Sequence, residues 1–181
     1  MDAIDHFAHD HRRLEQLMRD YRAATKEAQR RAAVESMVRE ISQHTALEEL
    51  ILYPMARTAL PGHGVLIDSQ LLGHAVIKQR LCGLDRLGSG DTREGRLVDA
   101  LCSEVTEHIQ SSEALLFPPL RRVVTHRQLF QASGRLARYR RVAPTRPHPH
   151  VPDEPPALAI VAPIVGAYDR LRDELAGRTS A

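Results

Sequence analysis

The feature that most constrains the fold is a spacing. Between residues 28 and 59, Val34, Met37, Ile41, His44, Glu48, Ile51 and Met55 follow one another at intervals of 3, 4, 3, 4, 3 and 4. That period holds all seven on one face of a helix, and such a stripe must be laid against partners of the same kind. Three further stretches repeat it. Residues 3–24 carry Ile4, Phe7, His11, Leu14, Met18 and Tyr21. Residues 65–88 carry Ile67, Leu71, His74, Ile77, Leu81 and Leu84, and residues 93–124 carry Leu97, Leu101, Val105, His108, Ser112 and Leu115. Pro61-Gly62-His63-Gly64 and Gly88-Ser89-Gly90-Asp91 are breaks between them. No stretch alternates with strand period. Four amphipathic helices with short connections predict an all-α fold, an antiparallel up-down-up-down four-helix bundle over residues 1–125.

The rest of the chain differs in character. A short basic helix is expected within residues 126–142. Residues 143–156 hold six prolines and read as an extended, polyproline-like linker. Residues 157–181 read as a C-terminal helix that can dock on the bundle. Eight arginines and no acid lie between Arg121 and Arg146. Because the net charge is only +2 and aromatics are 4% with no Trp, this run reads as neutralising an acidic bundle surface rather than as a nucleic-acid footprint. Cys82 and Cys102 form no metal-ligand or redox spacing. The longest apolar run, residues 157–167, is shorter than the roughly 20 residues a membrane span needs. The acidic N-terminus, Met1 to His6, lacks a leader pattern, so a cytoplasmic location is expected.

Ten histidines is a high count for 181 residues, and four of them are arranged. His11, His44, His74 and His108 each lie on the apolar stripe of a different helix. Counted from the turns at a rise of ~1.5 Å per residue, their heights differ by offsets on the order of 3–9 Å, so an antiparallel bundle brings all four to one level. Each buried imidazole needs a partner for both ring nitrogens, and a metal ion would satisfy several at once. His44 and Glu48 share a face at i,i+4, and Glu48 occupies a stripe position where an unpaired charge is unfavourable. Glu113 lies five residues beyond His108 on the flank of the stripe. Glu15, one turn after His11, is a spare carboxylate. Imidazole and carboxylate donors suit iron, zinc or manganese, and six ligands exceed what one zinc takes and fit two octahedral ions. A ferritin-like site would require Glu-x-x-His pairs, which the sequence lacks. The competing reading is an interaction bundle whose stripe histidines are core residues. His6, His9, His63 and His126 read as solvated, with His9 near enough to support His11. His148-Pro149-His150 reads as incidental.

The motifs resemble a known family. His11, the run His44-Thr45-Ala46-Leu47-Glu48-Glu49 leading into Leu52-Tyr53-Pro54, His74, and His108 with Glu113 leading into Leu116-Phe117-Pro118 are similar to the hemerythrin family, especially its bacterial HHE cation-binding branch. The resemblance covers about residues 1–125. It implies a four-helix bundle around a non-haem, oxo- or hydroxo-bridged pair of iron ions, held by His11, His44, Glu48, His74, His108 and Glu113. The implied partners are O₂, NO or peroxide, for binding, sensing or peroxide decomposition. Two positions depart from the family pattern. Oxygen-carrying members have a further histidine where this chain has Lys78. Many members have a carboxylate where it has Ser112, although Glu113 meets the alternative placement. One iron is then short of a ligand or takes Glu15, and it keeps a position open for water, peroxide or NO. Lys78 then bonds such a ligand or extends to solvent. The alternative is a metal-poor bundle acting as a regulatory module. Self-association, or a protein partner, through the C-terminal extension stays open.

Overall fold

The structure, a computed structural model, describes residues 1–88, 90–148 and 157–179. Helix α1 (Ala3–Ala23) starts where Asp2 accepts from the Asp5 amide while the Asp5 carboxylate accepts from the Asp2 amide, a reciprocal cap. Helix α2 (Glu27–Leu47) passes through a π-helical turn, Glu48–Leu52, into α3 (Tyr53–Ala59). After the short 3₁₀ turn Pro61–His63 come α4 (Gly64–Asp85) and α5 (Glu94–Ser111). A second π turn, Ser112–Leu116, joins α5 to α6 (Phe117–Val123). Helices α7 (His126–Arg140) and α8 (Ala157–Thr179) follow. No strand occurs among the described residues.

The two π turns have one cause. Pro54 and Pro118 have no amide proton, and each ring would clash with the carbonyl four residues back in a regular helix. Just before each proline the hydrogen bonds widen, so that the Tyr53 amide donates to the Glu48 carbonyl and the Phe117 amide to that of Ser112. The wide turn changes which side chains face inward. Glu48 and its neighbour Glu49 are both buried, as is Tyr53.

Helix α1 packs on α2 and α4 on α5, and α2 also meets α4. Apolar residues form two clusters. One gathers Phe7, Leu47, Ile51, Leu52, Ile67, Leu116 and Leu120. The other gathers Leu14, Met18, Met37, Ile41, Ile77, Leu81, Leu101 and Val105. The four stripe histidines fall between them along the chain in every helix, so the polar layer is closed above and below by hydrocarbon.

Helix α7, capped by Thr125 and Gln128, lies against α1 and α2. The arginine run does neutralise bundle acids: Arg121 bonds Asp2 and Asp5, Arg140 bonds Asp10, and Arg146 bonds Asp85 and Asp173. The terminal helix docks. Leu158 and Ala162 enter the first apolar cluster, and buried Asp169 accepts from the amides of Thr145 and Arg146, both at 3.0 Å. Gly166 is required there, because a Cβ on it would stand 2.1 Å from the Val142 carbonyl oxygen. Residues 141–148 turn against this helix rather than running free. The remainder of the expected linker, 149–156, including Pro149 and His150, lies outside the described residues, as do Ser89 of the second break and residues 180–181.

Candidate metal centre

The centre is built around one carboxylate. Glu48 has no solvent exposure, and its two oxygens face different histidines. Oε1 lies 3.6 Å from His44 Nε2 and 3.8 Å from His11 Nε2. Oε2 lies 3.1 Å from both His74 Nε2 and His108 Nε2. Tyr53 adds its hydroxyl, 3.0 Å from Glu48 Oε2 and 3.0 Å from His74 Nε2. Donor atoms of His11, His44, Glu48 and His108 fall within 4.8 Å of one another.

Three of the four outer ring nitrogens are hydrogen-bonded, and His44 Nδ1 is not. His11 Nδ1 meets Glu113 Oε1 at 2.9 Å, His74 Nδ1 meets Glu49 Oε1 at 2.9 Å, and His108 Nδ1 meets Gln70 Oε1 at 2.9 Å. Asp10 stands 3.8 Å from His44 Nδ1 and is also held by Arg140. An acceptor at Nδ1 requires a proton there, which leaves Nε2 of a neutral ring with its lone pair pointing inward. The Gln70 amide is fixed in this sense because its Nε2 donates to Ser111 Oγ at 2.9 Å. An imidazole steered at Nδ1 by a carboxylate or amide oxygen is the usual preparation of a metal-binding histidine.

The inward atoms are short of partners. His11 Nε2 and Glu48 Oε1 are buried without a hydrogen bond. Burial, only partly opposed by Glu48, depresses the His108 pKa to about 4, so its Nε2 is a lone-pair acceptor. That acceptor nevertheless sits 3.1 Å from a carboxylate oxygen and 3.4 Å from His44 Nε2. Acceptors facing acceptors in a dry layer are what a cation between them would resolve. Burial tends to raise the Glu48 carboxyl, but His108 and His44 outweigh it and hold the group well below the usual carboxylate range. For His11 and His74, burial favours the neutral ring and the adjacent carboxylates overcome it, raising both. Burial and then Glu48 push the Tyr53 phenol well above its ordinary value, so it keeps its proton and donates to Glu48.

Of the residues the sequence points to, the structure gathers His11, His44, Glu48, His74 and His108. It places Glu113 behind the His11 ring with a 42% exposed side chain, and Glu15 outward, 4.0 Å from Arg19. Lys78 neither extends free to solvent nor faces the cluster. Its ammonium lies 2.7 Å from Glu49 Oε1, so it braces the carboxylate that holds His74. Pro144, Pro147 and His148 lie beside this Glu49–Lys78 pair. Ser112 is fully buried and its hydroxyl has no hydrogen-bond partner. Spacing did not single out Glu49, Asp10, Gln70 or Tyr53. Three of them carried a signal: Gln70 lies four residues before His74 on the same face, and Glu49 and Tyr53 stand within the motif that follows His44.

The model of the Hemerythrin HHE cation binding domain matches residues 2–120. The chain belongs to the hemerythrin HHE cation-binding family. Over 165 residues it is 22% identical to the uncharacterized hemerythrin-like protein C869.06c of Schizosaccharomyces pombe, covering 91% of this chain and 81% of that protein. A solved structure of a hemerythrin HHE cation binding domain-containing protein, an Rv2633c homolog from Mycobacterium kansasii, superposes with a TM-score of 0.65 at 18% identity, covering 78% of this chain and 86% of that one. That likeness establishes the helical-bundle fold. Within the hemerythrin HHE fold, this chain's buried His/Glu cluster supplies a potential cation site, and no described helix is long and apolar enough to cross a membrane.

Proposed function

We propose that this hemerythrin-like chain is a non-haem iron protein that holds two ions and meets O₂, NO or peroxide as a small ligand. The observation that carries the reading is the Glu48 carboxylate, whose oxygens face two groups of inward imidazole nitrogens, His11 and His44 on one side and His74 and His108 on the other. A carboxylate so placed is suited to bridge two cations, and four imidazole nitrogens and two carboxylate oxygens without cysteine suit iron. Iron bound there would supply redox chemistry and Lewis acidity. The chain's own residues do the rest. Glu49, Gln70 and Glu113 fix the ring tautomers, Lys78 holds Glu49 in place, Tyr53 offers a proton donor at the edge of the cluster, and the apolar clusters keep bulk water away. A cytoplasmic location fits this reading.

The deciding experiment is elemental analysis of purified full-length protein together with its near-ultraviolet and visible spectrum. About two irons per chain, with charge-transfer bands that disappear in His44→Ala, support the proposal. Protein that binds no iron and melts at the same temperature with and without it would overturn it in favour of an interaction bundle. Peroxide consumption, measured beside O₂ and NO difference spectra, then separates an enzyme from a carrier or sensor.

A further inference from the structure

A groove of about 270 Å³ opens between α4 and α5, and its lining includes Gln70 and His108. Both side chains are nearly fully buried, so the groove runs from solvent to the edge of the metal-centre layer. Its inner end is closed by one hydrogen-bonded chain, from Ser111 Oγ through the Gln70 amide to His108 Nδ1, with both bonds 2.9 Å long. Three other grooves among the described residues touch no histidine of the cluster. Gly73, immediately before His74, forms part of the wall. Its backbone is not in the left-handed region, and a Cβ added there meets nothing within 4 Å. Glycine is unfavourable inside a helix, and neither conformation nor packing asks for it here. What its missing side chain provides is open space in the groove. Glu104 and Glu107 also line the groove, and no lysine or arginine does.

We propose that this groove is the port through which the small ligand reaches the metal centre, that the Gln70 amide is its gate, and that Glu104 and Glu107 make it selective for uncharged ligands over anions. The proposal rests on the small-ligand reading above. A carboxylate pair at the walls of a narrow cleft repels anions in the cleft field, an effect that weakens with ionic strength. A neutral diatomic or peroxide is not opposed. Opening the port requires the Gln70 amide to leave both Ser111 and His108, and closing it re-forms the two bonds.

The test uses metal-loaded full-length protein in rapid mixing with NO and, separately, with azide. Gly73→Leu fills the groove and is expected to slow NO association at least about tenfold, while iron content, resting spectrum and final NO spectrum stay as in the wild type. Ser69→Phe, an exposed substitution on the same wall, gives the same slowing should Gly73→Leu fold poorly. Glu104→Gln with Glu107→Gln is expected to speed azide association several-fold at low salt and leave NO unchanged. In the metal-free protein, exchange of the His108 ring proton with solvent is expected to slow in Gly73→Leu. Wild-type protein that holds iron and binds NO, with both groove-filling variants equally fast, overturns the port and leaves the metal centre standing. Wild-type protein that holds no iron overturns the underlying reading and the port with it. Equal azide rates in the carboxylate variant overturn the selectivity.

Discussion

Glu113 is where sequence pattern and structure point to different roles, and a pair of substitutions separates them. As a ligand it would contribute an oxygen to an ion. As placed, its Oε1 holds His11 Nδ1 at 2.9 Å from behind the ring, with 42% of the side chain exposed. A partly solvated contact of this kind contributes only about 0.5–1 kcal/mol after screening by water, which is about a 2- to 5-fold change in metal affinity. Glu113→Ala should therefore weaken iron binding by about that factor, and Glu113→Gln, which retains an acceptor oxygen for Nδ1–H, should recover most of it. Glu49 makes the same contact with His74 but is buried, and its removal belongs in the range of about 10- to 100-fold found for such orienting groups. Glu48→Gln removes the carboxylate that stands between the two histidine groups and should abolish stoichiometric binding. Chelator competition on the purified variants reads all four affinities. The rise in melting temperature with added iron checks them independently, because tighter binding adds stability by mass action. The reasoning fails if Glu113→Ala loses a full equivalent of iron, or if Glu113→Gln is as damaging as Glu48→Gln. Either result would mean that the carboxylate turns past the ring and binds the ion itself.

Three further outcomes follow from the geometry. The metal-free protein should lose stability as pH falls from 6.5 toward 4: the folded-state pKa of His108 is about 4 against an ordinary 6.5, so the unfolded chain takes up the proton first and up to about 3 kcal/mol is lost. His11 and His74, raised in the fold, act above that window and lose their contribution as pH rises, so urea denaturation across pH should show a maximum near 6.5 in the wild type and a flatter acid limb in His108→Leu. Gly166→Ala should displace α8, since the new methyl would stand 2.1 Å from the Val142 carbonyl oxygen; limited proteolysis beyond residue 148 should accelerate, with about 1–3 kcal/mol of stability lost, and unchanged proteolysis would refute the docking. Ser112→Glu should lower the melting temperature of metal-free protein, because it buries a charge, and restore it with iron; an equal loss in both states would show that residue 112 cannot reach an ion.

The helices and the histidine layer were legible because both depend only on period. A stripe at 3 and 4 spacing defines a face, and the turns define the heights, so His11, His44, His74 and His108 could be brought to one level without coordinates. What surrounds them was not legible, for two reasons. The π turns change the register just after His44 and His108, so positions counted on a regular helix mislead: Glu49 goes inward, and Leu115, counted on the stripe, is exposed while Leu116 is buried. Pro54 and Pro118 mark those turns, but a proline shows that the bonding must adjust without showing how. The second reason is that the orienting contacts cross between helices. Asp10 reaches toward His44, Gln70 binds His108, and Lys78 binds Glu49. The docking of α8 likewise depends on Arg146 meeting Asp85 and Asp173 and on Asp169 receiving two backbone amides.

The two halves of the bundle are variations on one pattern, and their difference bears on function. In each, a histidine is followed four residues later by a π turn and then by an aromatic residue and proline. The first half places Glu48 and Tyr53 in the buried layer; the second places Ser112 and Phe117 at the corresponding steps. Tyr53 sets its hydroxyl 3.0 Å from His74, whereas Phe117 stacks on His11 with ring centres 5.6 Å apart and planes 5° from parallel. The side of the layer that holds His74 therefore has a carboxylate oxygen at 3.1 Å and a phenol, and the side that holds His11 has a more distant carboxylate oxygen, at 3.8 Å, and an apolar ring. Two ions in such a frame would be held unequally. An ion near His74 would have oxygen donors on hand, and one near His11 would depend on imidazoles and the far arm of Glu48. Ser112, fully buried and with an unbonded hydroxyl, is the small residue at the step where the first half carries Glu48. An ion short of protein ligands would be better arranged to capture an external ligand than a fully ligated one, and residues 112 and 117 are where the second half offers fewer donors than the first.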